Sequence, residues 1–271
     1  MDYVQKKITI CIPHWQVKRY IRLCLRSIRK HSRKYNVEVI VVDNGSRDES
    51  LDYLRSLKWI RLIERPEETH ANWPKNVFTA WDVGIWQATG EFFITMHSDV
   101  FIKSDDWLDP FLSKFGNDTS IAGAGAWKLD LENPLYAFQK RVIGYATGKL
   151  KVLFGRKKNV EWKQGHYPRD YCAMYRSDVI LRHNLTFDSL FGKGGGYSIA
   201  KQIWDVGYKT KMVPVREMGE NIYHVAHGTA AITGEKPLQH VRTQRKAERR
   251  VSQLFDEAWV KELEADESLD R

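Results

Sequence analysis

Short apolar runs alternate with segments of helical periodicity over the first hundred residues of the chain. Four continuous β-branched or aliphatic runs predict strands that are buried on both faces. They lie at residues 8–12, 37–42, 59–63 and 91–96. Three segments between them carry apolar residues at helical spacing: 17–33, 48–57 and 75–88. This alternation predicts an α/β fold with a Rossmann-like, mostly parallel central sheet flanked by helices.

Beyond residue 100 the pattern is looser. Further short strands are expected at 121–129, 170–175 and 211–215. A long helix over 238–263 is expected to close the chain, with basic residues first and acidic residues last. We therefore predict one large domain over 1–232 and a C-terminal helical extension over 233–271.

The charge balance indicates anionic partners. Lys and Arg together number 43 against 34 for Asp and Glu, which gives a net charge of +9. This favours nucleotide phosphates or an anionic membrane surface. Three isolated cysteines indicate neither a disulfide framework nor a zinc site. The apolar run before Pro13 is shorter than a signal peptide requires, so we expect a cytoplasmic protein, peripheral at most to the inner face of the membrane.

Two carboxylates follow predicted strands. Asp43 ends the second strand, and Asp99 follows the fourth strand after His97-Ser98. Ligands of open α/β folds bind where the carboxyl ends of the strands meet. A carboxylate there can hold a divalent cation that binds nucleotide phosphates. Asn44-Gly45 suits a tight turn, and Ser46 is expected to cap the next helix. The alternative is an ordinary strand, turn and helix.

These motifs resemble, in order and spacing, those of the family 2 glycosyltransferases of GT-A fold. The matching segments are Ile12-Pro13, Val42–Ser46, Ala80–Ile85, Ala88–Glu91, His97-Ser98-Asp99 and Trp107-Leu108. The resemblance covers residues 7–130 well and 170–230 loosely. It implies a nucleotide-binding half over 1–100 and an acceptor half over 101–232.

The resemblance also implies roles for individual residues. The nucleotide would contact Pro13, Asp43, Asn44, Asp82, His97 and Ser98. Asp99 would hold Mn²⁺ or Mg²⁺, which bridges the donor diphosphate. A late histidine would be a further metal ligand, either His224 or His227, with His227 preferred because Gly228-Thr229 follows it. The expected donor is a UDP-sugar.

The carboxylate pair that serves as catalytic base in such enzymes is missing. Alignment back from Gly207-Tyr208 places Gly195-Gly196 at its position, and glycine cannot deprotonate an acceptor hydroxyl. The base would then come from elsewhere, with Asp188 and Glu217 as candidates and Glu220 as a third. Otherwise the mechanism lacks this base, or the chain is no transferase. Residues 193–196 predict a flexible acceptor loop or a phosphate cradle.

Residues 136–158 form a basic amphipathic insertion. Apolar residues fall on one helical stripe, and seven Lys or Arg residues flank it. The stripe comprises Val142, Tyr145, Ala146, Leu150, Leu153 and Phe154. Such a segment suits an interfacial membrane contact near a lipid-linked acceptor. The alternative is a helix packed on the core with a solvated basic face.

We therefore expect a metal-dependent, inverting glycosyltransferase that acts on a saccharide or lipid-linked glycan in cell-surface polysaccharide synthesis. One alternative is a non-catalytic protein of the same fold that binds nucleotide sugars or glycans. Another is a basic peripheral protein that binds membranes. A nucleic-acid partner is not expected, and a dehydrogenase is disfavoured because no G-x-G-x-x-G follows the first strand.

Overall fold

The computed structural model describes residues 6–127, 167–190, 193–225 and 251–271, with scattered positions between 129 and 155. Its centre is a seven-stranded sheet. The strands are β1 (Ile8–His14), β2 (Val37–Asp43), β3 (Ile60–Glu64), β4 (Phe92–Met96), β6 (Ile121–Ala126), β7 (Cys172–Arg176) and β8 (Lys209–Val213). A separate two-stranded sheet joins β5 (Val100–Ile102) and β9 (Ile222–His224).

The central sheet is parallel except at one strand. Its order is β3-β2-β1-β4-β7-β6-β8, and β7 runs antiparallel to both β4 and β6. The carboxyl ends of β1, β2 and β4 therefore share one edge with the beginning of β7. This edge is where the sequence predicts a ligand site.

Helices cover both faces of the sheet. They are α1 (Lys18–His31), α2 (Ser50–Ser56), α3 (Lys75–Gln87), α4 (Asp109–Phe115), α5 (Ser177–Arg182), α6 (Gly196–Asp205), α7 (Val215–Asn221) and α8 (Ala258–Ala265). Successive residues of a strand point to opposite faces. Ile10 accordingly joins a core with Tyr20 of α1, whereas Cys11 joins a second core with Trp81 of α3. Burial on both faces is why the strands are continuous apolar runs.

The C-terminal part of the chain packs on α1. Arg26 is buried, and its guanidinium donates hydrogen bonds to the carbonyl oxygens of Leu263 and Glu264 and to the carboxylate of Asp270. The expected single helix over 238–263 is wrong in its described part. Residues 251–256 are helical, but Glu257 is extended and starts the separate helix α8.

The amphipathic insertion falls largely outside the described residues. Described positions between 139 and 153 are helical. Most apolar side chains of this segment are exposed, with Leu153 80% and Phe154 82% exposed, while Tyr145 is half-buried. The exposed positions do not pack on the core, which argues against the alternative interpretation for them. Among the described segments of the chain, none of the helices is both long enough and apolar enough to cross a bilayer.

Candidate metal and nucleotide site

Two chain segments distant in sequence meet at the carboxyl edge of the sheet. The turn His97–Asp99 follows β4 and leads into β5, while His224 is the last residue of β9. Strands β5 and β9 pair antiparallel, with Val100 opposite His224, and the Val225 N–H donates to the Asp99 carbonyl at 3.0 Å. This small sheet, which the sequence pattern did not predict, brings His224 to Asp99.

The meeting point has the donor set of a metal site. One ligand atom each from His97, Asp99 and His224 lies within 4.8 Å of the others. Asp99 Oδ1 is 3.9 Å from His97 Nδ1 and 3.5 Å from His224 Nε2. Two imidazole nitrogens and a carboxylate oxygen can bind a divalent transition metal. The residues therefore fit a divalent transition metal ion.

Aromatic rings fix both imidazoles. The His97 ring stacks on Trp81 with centroids 5.6 Å apart, and the His224 ring stacks on Tyr171 at 4.6 Å. Burial lowers the pKa of His97, and this effect outweighs the negative charges of Asp170 and Asp99, which act to raise it. A neutral ring keeps a lone pair for a metal ion. The surroundings thus hold this imidazole in a ligand-competent form.

A second polar group lies at the ends of β1 and β2. His14 and Asp43 are directly opposite in the parallel register, and both are buried. Asp43 Oδ2 accepts the Ser46 N–H at 3.0 Å, and His14 Nε2 lies 2.8 Å from Ser50 Oγ. Among the described residues, Asp43 Oδ1 and His14 Nδ1 have no hydrogen-bond partner. Buried polar atoms that lack a protein hydrogen-bond partner favour a bound polar ligand.

The turn after Asp43 is shaped by close packing. Gly45 has φ +75°, and a Cβ there would overlap the Glu68 carbonyl oxygen. Asn44 is buried and its side-chain oxygen accepts from Arg65 at 3.0 Å. The expectation that Ser46 caps α2 is wrong. Its hydroxyl accepts the Gln16 N–H instead.

The sequence of this chain matches a known enzyme family. The sequence model of glycosyl transferase family 2 covers residues 9–183. The chain belongs to glycosyltransferase family 2. This confirms the resemblance that the strand-end motifs indicated.

Two relatives show how far the family 2 similarity extends. A protein of Bacillus subtilis strain 168 named as glycosyltransferase EpsH is 30% identical over 191 residues, which are 66% of this chain and 50% of that protein. A Methanococcus voltae enzyme is 24% identical over 207 residues, which are 74% of this chain and 63% of that enzyme. Its name describes a glucuronosyltransferase acting on a dolichyl N-acetylglucosaminyl phosphate. The chain therefore spans less than two thirds of both.

Solved structures confirm the fold class. The mannosyltransferase PcManGT of Pyrobaculum calidifontis, in complex with GDP-Man and Mn²⁺, superposes with a TM-score of 0.55 at 16% identity, over 78% of this chain and 55% of that one. Residues 1–349 of Staphylococcus aureus TarS superpose with a TM-score of 0.52 at 15% identity, over 83% of this chain and 62% of that one. At these identities the likeness concerns the fold alone.

The other residues predicted for the nucleotide and metal site are found in different settings. Pro13 is buried in β1, and Ser98 lies in the turn between β4 and β5. Both carboxylate oxygens of Asp82 accept hydrogen bonds from the segment after α5: from Thr186 Oγ1 at 2.6 Å and from the Phe187 N–H at 2.8 Å. His227 lies outside the described residues.

Each carboxylate predicted as the catalytic base lies within 4.0 Å of a lysine or arginine side chain. Asp188 lies 3.9 Å from Lys75, with a partly exposed side chain. Glu217 of α7 lies 4.0 Å from Lys114 of α4. Glu220 pairs with Arg216 on the outer face of the same helix, and both are exposed. None of these carboxylates belongs to the histidine–aspartate cluster found among the described residues.

The glycines of the acceptor segment are packed closely. A Cβ at Gly194 would overlap the ring of Phe78, and one at Gly195 would overlap Asp170 Oδ2. Gly195 has φ +61°, and the Gly196 N–H faces Asp170 Oδ2 at 3.4 Å. Residues 194–196 are therefore closely packed where α6 begins.

Sequence reasoning missed several residues of this edge. His14 follows Pro13 at the end of β1, so the strand-end rule that selected Asp43 could also have selected it. Trp81 and Tyr171 resemble ordinary core aromatics in the sequence. Asp170 precedes a short strand whose partner is not visible in the sequence pattern, so no local signal identified it.

Proposed function

We propose that this family 2 chain is a metal-dependent glycosyltransferase that moves a sugar from a nucleotide-diphosphate donor to a hydroxyl acceptor. The observation that carries the proposal is the cluster of His97, Asp99 and His224 within 4.8 Å. It lies at the same sheet edge as the buried polar atoms of His14 and Asp43, which have no hydrogen-bond partner within the described part of the chain. A metal site that shares a sheet edge with buried polar side chains suits the two chemical parts of a nucleotide diphosphate.

In this proposal the two polar groups bind different parts of the donor. Asp43 Oδ1 and His14 Nδ1 would take the base or ribose, because both atoms are buried and without protein partners among the described residues. His97, Asp99 and His224 would hold Mn²⁺ or Mg²⁺ against the diphosphate. The ion, when bound, offsets negative charge on the leaving diphosphate. We assign nucleotide binding to 1–100 and acceptor binding to 101–232, with 233–271 as an extension.

The donor is proposed to be a UDP-sugar, transferred with inversion at the anomeric carbon. The Pyrobaculum structure was obtained with GDP-Man and Mn²⁺, so GDP-sugars belong in the same test. A thermal-shift panel of UDP-, GDP- and dTDP-sugars, each with Mn²⁺ or with a chelator, checks donor and metal together. We expect one nucleotide class to raise the melting temperature only with Mn²⁺. Equal shifts in chelator would refute metal-dependent binding.

Catalysis is tested separately from binding. Release of nucleoside diphosphate from the stabilising donor is expected with Mn²⁺, and Asp99→Asn should abolish it while the protein still melts cooperatively. Full activity of that variant would refute the metal role. The non-catalytic alternative is favoured by Gly195-Gly196 at the position of the carboxylate pair. Tight Mn²⁺-dependent binding without any release of diphosphate would support it.

The acceptor is proposed to be a saccharide or lipid-linked glycan at the inner face of the membrane. The exposed apolar side chains of Leu153 and Phe154 lie in a segment that is rich in Lys and Arg. Such segments bind the interface of anionic bilayers. The Methanococcus relative carries a lipid-linked substrate in its name, which supports this choice.

Vesicle binding tests the membrane proposal. Wild-type protein should sediment with vesicles of mixed phosphatidylglycerol and phosphatidylcholine, and the double variant Leu153→Asp, Phe154→Asp should not. Leu190→Asp is the matched control, because Leu190 is an exposed leucine outside the insertion. Equal binding by all three proteins would refute the role of the insertion. Binding that survives chelator while no nucleotide binds would favour a peripheral membrane protein instead.

A further inference from the structure

We propose that Asp170 is the catalytic base of this chain, and that it supplies, from the segment before β7, the carboxylate that Gly195-Gly196 lack. The inference rests on the proposed transferase function. The residue lies two positions before the first residue of β7, and the helix that follows the glycines begins against it. The chain thus retains a carboxylate at this position in space, although not at this position in sequence.

The space beside Gly195 is filled by Asp170. A Cβ built on Gly195 would overlap Asp170 Oδ2, so the carboxylate occupies the volume into which a side chain at 195 would project. Glycine at 195 therefore leaves the space that the Asp170 carboxylate occupies. A larger residue at 195 would displace the carboxylate, and a smaller one at 170 would leave the volume empty.

The strand register places Asp170 next to the metal cluster. Met96 is opposite Cys172 in the antiparallel pair of β4 and β7. The pairing continues for one more step, since the His97 N–H donates to the Tyr171 carbonyl at 2.9 Å. Residues directly opposite in such a pair have Cα atoms about 4.5–5.5 Å apart. Asp170 therefore lies across from the turn that carries His97 and Asp99.

The Asp170 carboxylate is accessible and retains the capacity to accept a hydrogen bond. Its residue is only partly buried. The contact from the Gly196 N–H, at 3.4 Å, is longer than a strong hydrogen bond, so it leaves acceptor capacity on the carboxylate. Asp188 and Glu217 instead face Lys75 and Lys114.

The step assigned to Asp170 is one proton transfer. The acceptor O–H proton passes to an Asp170 carboxylate oxygen while the acceptor oxygen forms a bond to the anomeric carbon of the donor. The bond from that carbon to the diphosphate oxygen breaks, and its electron pair leaves with the diphosphate. General base catalysis of this kind contributes about 10²–10⁴-fold to the rate.

Three variants separate basicity from structure. Asp170→Asn keeps an oxygen that can accept the Gly196 N–H but removes the base. Asp170→Glu keeps the base with a longer reach. Asp178→Asn is the control, since Asp178 is an exposed carboxylate of α5 that pairs with Arg182. The probe reaction is hydrolysis of the donor identified in the thermal-shift panel, with water as the acceptor.

We expect Asp170→Asn to lower donor hydrolysis by about 100-fold or more. Asp170→Glu should recover part of the rate, and Asp178→Asn should match wild type. The Mn²⁺-dependent thermal shift by the nucleotide should stay within error in all three proteins. A loss of nucleotide binding in Asp170→Asn would indicate a structural role and overturn the proposal.

Azide supplies a readout that a structural role would not produce. The anion carries no proton to be removed, so its attack on the anomeric carbon needs no base, and the products are a glycosyl azide and the diphosphate. With azide, Asp170→Asn should release diphosphate at a rate near that of wild type with azide. His224→Ala, which lacks a proposed metal ligand, should not be rescued.

Each remaining outcome decides between the two proposals. If Asp170→Asn hydrolyses the donor at the wild-type rate, Asp170 is not the base. The same conclusion holds if Asp188→Asn or Glu217→Gln shows the loss of hydrolysis and the rescue by azide instead. In both cases the proposed transferase function stands. If wild type cleaves no donor with any metal or acceptor, the proposed function is refuted, and the role of Asp170 with it.

Discussion

Replacing Gly195 with alanine tests whether this glycine is required by its neighbours. Gly195 has φ 61° and ψ −138°, a backbone region that side chains rarely adopt. A Cβ there would overlap Asp170 Oδ2 and lie 2.8 Å from the Phe78 ring. Gly116 offers a matched control, because its φ of 45° and ψ of −141° are similar and its Cβ would meet nothing within 4 Å.

The two substitutions share one cost and differ in another. Backbone strain in this region destabilises the folded state by about 1–3 kcal/mol in both variants. Overpacking against a carboxylate and an aromatic ring adds about 1–3 kcal/mol at Gly195 alone. We therefore expect Gly195→Ala to lower the free energy of unfolding by about 2–6 kcal/mol. Gly116→Ala should lower it by about 1–3 kcal/mol.

Urea denaturation followed by tryptophan fluorescence measures both values. The difference between the variants isolates the contact with Asp170 and Phe78. Adding Asp170→Ala to Gly195→Ala should restore at least ~0.5 kcal/mol relative to additivity, because the overlapping oxygen is gone. Equal destabilisation by Gly195→Ala and Gly116→Ala would refute the claim that Asp170 fills the space at Gly195.

Three further predictions concern other parts of the molecule. Arg26→Met should lower the free energy of unfolding by about 2–4 kcal/mol, because it removes a buried guanidinium that holds the C-terminal segment. Arg19→Met removes the more exposed ion pair with Glu264 and should lower it by under about 1 kcal/mol in the same urea titration. Burial lowers the pKa of His14 from 6.5 to about 4. The unfolded chain therefore binds a proton that the folded protein excludes, and stability should fall by up to about 3 kcal/mol between pH 6.5 and 4. His14→Gln should lose this part of the acid sensitivity, and an unchanged pH profile would contradict the assignment. His224→Ala should weaken Mn²⁺ binding in calorimetry at least about tenfold, whereas the exposed His183→Ala should not.

Local pattern was sufficient for most of the sheet. The runs that contain Ile10, Val41 and Ile94 are apolar on both faces, and that property alone predicts buried parallel strands. Asp43 and Asp99 were selected because polar residues at strand ends meet at one edge of such a sheet. Family membership and the fold class followed from the same ordered motifs.

Pairing between distant segments was not predictable in this way. The chain gives no local sign that β5 pairs with β9, so the choice between His224 and His227 rested on the glycine after His227. The described structure brings His224 to Asp99. Likewise, Gly195-Gly196 suggested that the catalytic base is missing. A sequence alignment compares positions along the chain, so it cannot show which side chain fills the space beside a glycine.

The sequence by itself determined most strands and helices of the central sheet, the edge at which a ligand site is expected and the family, because periodicity and strand-end residues depend on neighbours along the chain. The tertiary structure decided that His224 joins the Asp99 cluster, that His14 lies beside Asp43, and that Asp170 stands against Gly195. These facts depend on the register between strands and on close packing across the sheet edge. Both arise from contacts between residues far apart in the chain, where a local pattern carries no signal.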